Sequence, residues 1–310
     1  MSAARGFGAA RRESRERGRA TYGCTREQTV NPRRAPRRTP RAQSADDLLS
    51  TLGRLTARAR AGAEHQQPRV ELAEALQREM LPAVLPALPG LRTAARYSPA
   101  RHGLDIGGDW YDGFGLPQGA LAFSIGDVQG HDVEAAAFMG QVRIGLRAVA
   151  AVVDDPGEVL ARTNDVLLST GRELFATCTL LRFDPETWEL HSARAGHVPA
   201  LWATVDGGYG MAEDEGGLPL GMLPGAGYAV TRRKLDRAGS IVLVTDGVVE
   251  GPSFPIDVGL ERVLRVLREG AGADPAELAA EVMEVADSTG HADDAAVLVI
   301  SHDAGGPAAR

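Results

Sequence analysis

With 310 residues, a net charge of −7, 44% hydrophobic and 24% charged residues, the chain has the make-up of an ordinary globular protein of one large or two small domains. No run of uncharged apolar residues reaches the roughly 18 needed to span a bilayer, and the Arg-rich start lacks the apolar stretch of a secretory signal. The two cysteines, Cys24 and Cys178, are too far apart for metal-ligand spacing and too few for a disulfide framework, so a reducing, cytoplasmic setting is expected.

In chain order, residues 1–42 carry twelve arginines against three acidic residues, a local balance of +9, so the remaining residues carry −16. This Arg/Pro-rich tail has no apolar periodicity and is expected to be disordered. It reads more readily as an extension without a role than as a contact for nucleic acid or an anionic membrane surface. The acidic remainder is a poor nucleic-acid binder, because phosphate contacts need clustered cations, and is suited to gathering divalent cations. Over 44–82 a helical pattern follows Ser44 with Leu48, Leu49, Leu52 and Leu55, breaks near Pro68, and resumes through Val70, Leu76 and Met80. This amphipathic region is expected to act as a linker, a regulatory element or a homodimer seam, or to pack its apolar face on the domain that follows.

Across 83–302 the pattern changes to short apolar or alternating runs. Strands are predicted over 92–99, 106–115, 119–127, 175–184, 187–195, 198–205, 226–233, 239–246 and 295–301, and helices over 131–153, 156–171, 257–270 and 274–287. Asp274 ahead of Pro275 and Glu277 is a helix start. Runs of strands followed by helix pairs, without strict βαβ alternation, imply antiparallel sheets covered by helices. Residues 303–310 read as a second disordered tail.

The chemistry lies in where the aspartates fall. Asp109 in DIGGDWYD, Asp127 in LAFSIGDVQGHD, Asp246 in IVLVTDGVVE and Asp293 in HADDAAVLVI all sit at strand ends, beside glycine or another aspartate. Any one of them is adequately explained as a turn or cap residue. Four together, without matching Lys or Arg, would repel one another if they converged, and hard divalent cations resolve that repulsion. These residues alone reach a metal-dependent hydrolase or phosphoryl-transfer enzyme.

The ordered series LQREMLP (76–82), ARYSPA (95–100), IGGDWYD (106–112), IGDVQGH (125–131), ATCTLLRFDP (176–185), AGHVPALW (195–202), GLPLG (217–221), VTDGVVE (244–250) and DDAAVLV (293–299) resembles the bacterial SpoIIE-type branch of the protein phosphatase 2C (PPM) family. The resemblance covers about residues 70–301. It implies an α+β fold, a four-layer α-β-β-α sandwich of two antiparallel sheets packed face to face with helices on both outer sides. It also implies a cleft holding two divalent cations, Mn²⁺ or Mg²⁺. Carried onto this chain, Asp127 bridges the cations beside the Val128 backbone carbonyl. Asp246 and Asp293 complete one site, with Asp294 in reserve, and Asp109 holds the other. The implied reaction is in-line attack on a phosphoserine or phosphothreonine by a metal-activated water, without a phospho-enzyme.

His131 is a candidate general acid for the leaving group. The family motif has Gly where this chain has Asp132, which suits a helix start at 133. Asp112 and His197 read as structural, and Arg96 and Arg101 as candidate phosphate contacts. The implied partner is a phosphorylated regulatory protein resembling an anti-sigma factor antagonist. A pseudophosphatase that binds a phosphoprotein without hydrolysing it is the alternative. A metal-dependent phosphodiesterase or nuclease is disfavoured by the acidic body.

Overall fold

The computed structural model describes residues 80–99, 107–130, 132–252, 254–290 and 293–305. The basic tail, the 44–82 helical region up to residue 79, Arg101 and His131 lie outside the described residues. Among the described residues, ten strands form two five-stranded sheets. The first runs β1 (Leu91–Ser98), β10 (Ala295–His302), β9 (Gly239–Val244), β6 (Leu201–Thr204), β7 (Tyr209–Met211). The second runs β2 (Trp110–Gly115), β3 (Leu121–Val128), β4 (Ala176–Asp184), β5 (Glu189–Ala195), β8 (Val230–Lys234). Every pairing between neighbouring strands is antiparallel.

Three apolar cores hold the layers. Phe123, Ile125, Leu181, Phe183, Leu243 and Leu298 fill the space between the sheets. The outer face of the second sheet packs against α1 (Val133–Ala150) and α2 (Pro156–Ser169), and the outer face of the first against α4 (Ile256–Glu269) and α5 (Pro275–Thr289). Strand β10 shows how sequence period becomes layering. Ala295, Val297 and Val299 face the helices while Ala296, Leu298 and Ile300 face the other sheet, so a strand buried on both sides reads as one apolar run. On α1, Ala135, Phe138, Met139, Val142 and Leu146 form a single buried stripe. Each large side chain buried there stabilises by roughly 1.5–3 kcal/mol relative to exposure.

Helix starts follow the expected chemistry. Asp132 accepts a hydrogen bond from Ala135 N at 2.9 Å, Asp155 from Glu158 N at 2.9 Å, and Asp274 from Ala276 N at 2.9 Å. α5 ends at Gly290, in the left-handed region at φ 67°. Met80 and Leu81, at the end of the helical pattern, pack against the core beneath α1 and α2.

The predicted strands and helices that fall on described residues are present with shifted ends; the strands predicted from 106 and 226 begin only at Trp110 and Val230. The run predicted as strand through 246 stops at Val244, and Thr245 leads into a short helix, α3 (Asp246–Val249). The three-residue β7 falls in a stretch read as loop; Tyr-Gly-Met has no strand pattern of its own and is held by its register with β6. The ordered body runs past residue 302, because Asp303 N donates to Gly90 O at 2.8 Å and Asp303 O accepts from Trp188 Nε1 at 3.1 Å. No helix among the described residues is long and apolar enough to cross a membrane.

Candidate metal centre

Three carboxylates from distant parts of the chain meet at one end of the sandwich. Asp109 immediately precedes β2, Asp127 is the penultimate residue of β3, and Asp246 opens α3 just beyond β9. Each offers an oxygen within 4.8 Å of the others. Asp109 is buried, and its Oδ2 has no hydrogen-bond partner among the described residues. None of the three has an arginine or lysine partner among the described residues. Asp112, three positions beyond Asp109, differs: it is fully buried and bound by Arg147 through Nε at 2.8 Å and Nη2 at 2.6 Å, and by Arg143 at 3.2 Å. The structural role read for Asp112 thus has a concrete form, an anchor between β2 and α1.

The convergence carries an electrostatic cost. Burial first, then the charges of Asp127, Asp246 and Asp294, hold the Asp109 carboxyl well above the usual carboxylate range. Burial and the neighbouring Asp246 push Asp127 up to about 8. Asp246 is raised by burial and by Asp293. Like charges gathered in a partly buried cleft, with no arginine or lysine partner among the described residues, form a set that a hard divalent cation fits: oxygen donors only, including the buried Asp109 Oδ2.

The other expected site residues divide. Asp293 is exposed and outside the three-carboxylate group; its Oδ1 accepts from Asp294 N at 2.9 Å, and its charge is felt at Asp127 and Asp246. Asp294 is buried, hydrogen-bonded with the Tyr97 hydroxyl, and acts on Asp109. The Val128 peptide lies against Gly108, donating N–H to Gly108 O at 3.3 Å. A Cβ on Gly108 would stand 2.4 Å from the Val128 carbonyl oxygen, so the glycine admits that approach. Gly107 does the same for Asp294, where an added Cβ would meet Oδ2 at 1.7 Å. Arg96 is exposed on β1.

Two residues beside the cluster escaped the sequence reading. Tyr97, within ARYSPA, sits opposite Ala296 in β1 and is strongly raised by burial and by the charges of Asp294 and Asp109. Thr245 locks β9 to β10, its hydroxyl accepting from Ala296 N at 2.8 Å. Thr245 has the sequence signal of preceding Asp246, and Tyr97 has none beyond its place in ARYSPA. His197, read as structural, is buried, with Nδ1 2.8 Å from the hydroxyl of Thr177, the residue paired with Asp127 across β3–β4. Burial pushes its imidazole down to about 3, so it is neutral.

Residues 117–303, more than half of the chain, match the profile of the family described as Stage II sporulation protein E (SpoIIE). The chain belongs to the SpoIIE family. Among curated relatives, Protein IcfG of Synechocystis is 28% identical over 213 residues, covering 59% of this chain and 33% of the relative. Phosphoserine phosphatase RsbU of Bacillus subtilis is 25% identical over 182 residues, covering 58% of this chain and 53% of the relative. The matches thus span a third to about half of the length of these relatives. Among solved structures, the RsbU and RsbW domains of Rv1364c from Mycobacterium tuberculosis match with a TM-score of 0.65 and 29% identity, covering 74% of this chain and 64% of that one. The catalytic domain of the serine/threonine protein phosphatase PstP, solved with two manganese ions, matches with a TM-score of 0.53 and 18% identity over 70% of this chain and all of that one, a likeness of fold. The four-layer fold is that of the PP2C-type phosphatases.

Proposed function

We propose that this chain is a metal-dependent protein serine/threonine phosphatase, acting on phosphoserine or phosphothreonine of a bacterial regulatory protein. The observation that carries the reading is the meeting of Asp109, Asp127 and Asp246 within 4.8 Å, with no cationic side chain to neutralise them among the described residues. In this reading they hold two divalent cations, Mn²⁺ or Mg²⁺, with the Val128 carbonyl and Asp293 completing the set and Asp294 in reserve. The manganese-bound state of PstP, a protein of the same fold, supports the choice of cation.

Cations held by Asp109, Asp127 and Asp246 would lower the pKa of a water and offset the charge that develops on the phosphoryl group. The chain's own residues do the rest. Three different elements fix the carboxylates, so the site is organised before substrate arrives. Asp294, held by Tyr97, keeps the loop carrying Asp109 against the start of β10. The buried neutral His197 supports Thr177 behind Asp127 without adding charge. His131 follows this strand by three residues and remains the candidate proton donor to the departing serine oxygen.

The name of the RsbU relative, a phosphoserine phosphatase, supports phosphoserine as substrate. The resemblance to the SpoIIE branch supports an anti-sigma factor antagonist-like phosphoprotein as partner, and a cytoplasmic setting. The test is phosphate release from a phosphoserine peptide with Mn²⁺, with Mg²⁺ and with EDTA. Metal-dependent release that Asp127→Ala and Asp246→Ala both abolish is the expected result. A folded protein that binds the peptide and releases no phosphate under any metal would instead be a pseudophosphatase.

A further inference from the structure

The core between the sheets is not filled to its edge. Where β6 and β7 of one sheet face β5 and β8 of the other, a cavity of about 390 Å³ opens, within the size range of small-molecule sites. Its apolar lining includes Leu181, Leu190, Leu201 and Ile241, and none of the clustered aspartates contributes to it. Two groups on its wall carry unused hydrogen-bond donors. The Arg233 guanidinium lies over the Trp202 ring, 4.5 Å from its centroid, and forms no ion pair among the described residues. The Trp202 indole Nε1 is buried without an acceptor among the described residues.

Arg233 is half-buried, and burial lowers its pKa with no acidic neighbour offsetting the loss. A second cavity of about 260 Å³ shares Trp202, Arg233 and Ile241 with the first and adds Lys234, Asp236 and Arg237, the last paired with Asp206 at 3.1 Å. The guanidinium–indole stack is thus a cationic partition between two spaces. The only acidic residue lining the larger space is Glu213, which is exposed. An apolar chamber with an uncompensated guanidinium and an unpaired indole N–H is complementary to one kind of occupant: an apolar body ending in an anion that accepts from both.

We propose that this cleft binds a small amphipathic carboxylate, its aliphatic body against Leu181, Leu190 and Ile241 and its carboxylate on Arg233 and the Trp202 N–H. The site is separate from the metal centre, and its occupation is read without turnover, so it stands or falls independently of the phosphatase reading.

The test is calorimetric titration of the full-length protein in EDTA with octanoate, and with 1-octanol as the uncharged match. EDTA keeps the aspartate cluster from recruiting the carboxylate through a metal. Octanoate is expected to saturate a single site, with octanol at least tenfold weaker. Arg233→Gln should weaken octanoate at least tenfold and leave octanol unchanged, and Trp202→Phe should weaken octanoate by a smaller factor. Ser192→Phe, which fills the chamber and keeps Arg233, should abolish binding of both; it decides the matter if Arg233→Gln does not fold. No saturable octanoate binding up to millimolar concentration, or binding undiminished in folded Arg233→Gln or Ser192→Phe, would overturn the proposal. Arg233 would then be an inward charge guarding the β8 edge.

Discussion

Asp109 and Asp112 lie three residues apart, and the structure assigns them opposite energetic roles, which a paired substitution can expose. Replacing Asp112 by Asn removes the anion between Arg143 and Arg147 while keeping the side-chain shape. Arg147 is 37% exposed and can recover water; Arg143 is 11% exposed and cannot. Breaking a buried pair by removing one partner costs about 3–5 kcal/mol, and the rehydration of Arg147 places this case near about 3. For a domain of this size, each kcal/mol moves the melting temperature by roughly 2–4 °C, so Asp112→Asn should melt roughly 6–12 °C lower. The variant should still gain stability on adding Mn²⁺, because the cluster is untouched. Asp109→Asn removes one of three mutually repelling carboxylates, so the metal-free protein at pH 8 should melt at or above the wild-type temperature and lose most of its response to Mn²⁺. Differential scanning calorimetry of both variants, in EDTA and in Mn²⁺, reads all four quantities. An Asp109→Asn protein that is destabilised in EDTA as much as Asp112→Asn, or that keeps the full Mn²⁺ response, would refute the reasoning.

Three further outcomes are expected. The clustered carboxyls are raised in the folded protein, Asp127 to about 8 from 3.8, so their contribution is fully present below about 3.8 and is lost as pH rises through about 8; metal-free melting temperatures should fall over that window, and saturating Mn²⁺ should remove the slope. His197 is depressed from 6.5 to about 3, so its contribution is present above 6.5 and declines as pH falls; urea titrations should find His197→Gln less damaging at pH 5 than at pH 8 by roughly 2 kcal/mol. An alanine Cβ at Gly247 would stand 1.9 Å from the Asp294 carbonyl oxygen, a backbone atom that cannot swing aside, so Gly247→Ala should cost about 1–3 kcal/mol in urea titrations and displace Asp246, weakening Mn²⁺ binding measured by calorimetry.

Much of the architecture was legible because burial imposes a period. The unbroken apolar run at 295–300 can only be a strand covered on both faces, and the stripe on α1 can only be a helix covered on one. Asp109, Asp127 and Asp246 were legible because glycine or a second aspartate beside a strand end is unusual when repeated, whereas Asp293, picked out by the same pattern, lies outside their group. What the sequence did not show depends on register and approach between distant segments. Tyr97 gains its meaning only when β1 pairs with β10 and brings it to Asp294. The arginine pair that makes Asp112 structural comes from one helix, yet nothing local links Arg147 to a strand residue 35 positions earlier, or Arg143 to the same residue. Strand β7 and the β6–β8 cavity likewise arise from pairing, since neither Tyr-Gly-Met nor Thr-Arg-Arg-Lys has a pattern that predicts a shared chamber.

The most direct test of the central claim is a calorimetric Mn²⁺ titration of the wild-type chain beside Asp127→Ala at pH 8. The proposed phosphatase site predicts saturable binding of two ions by the wild type, and loss of that binding when the Asp127 carboxylate, one of the three that meet, is removed. Absence of Mn²⁺ binding by the folded wild type, or an unchanged isotherm in Asp127→Ala, would contradict it.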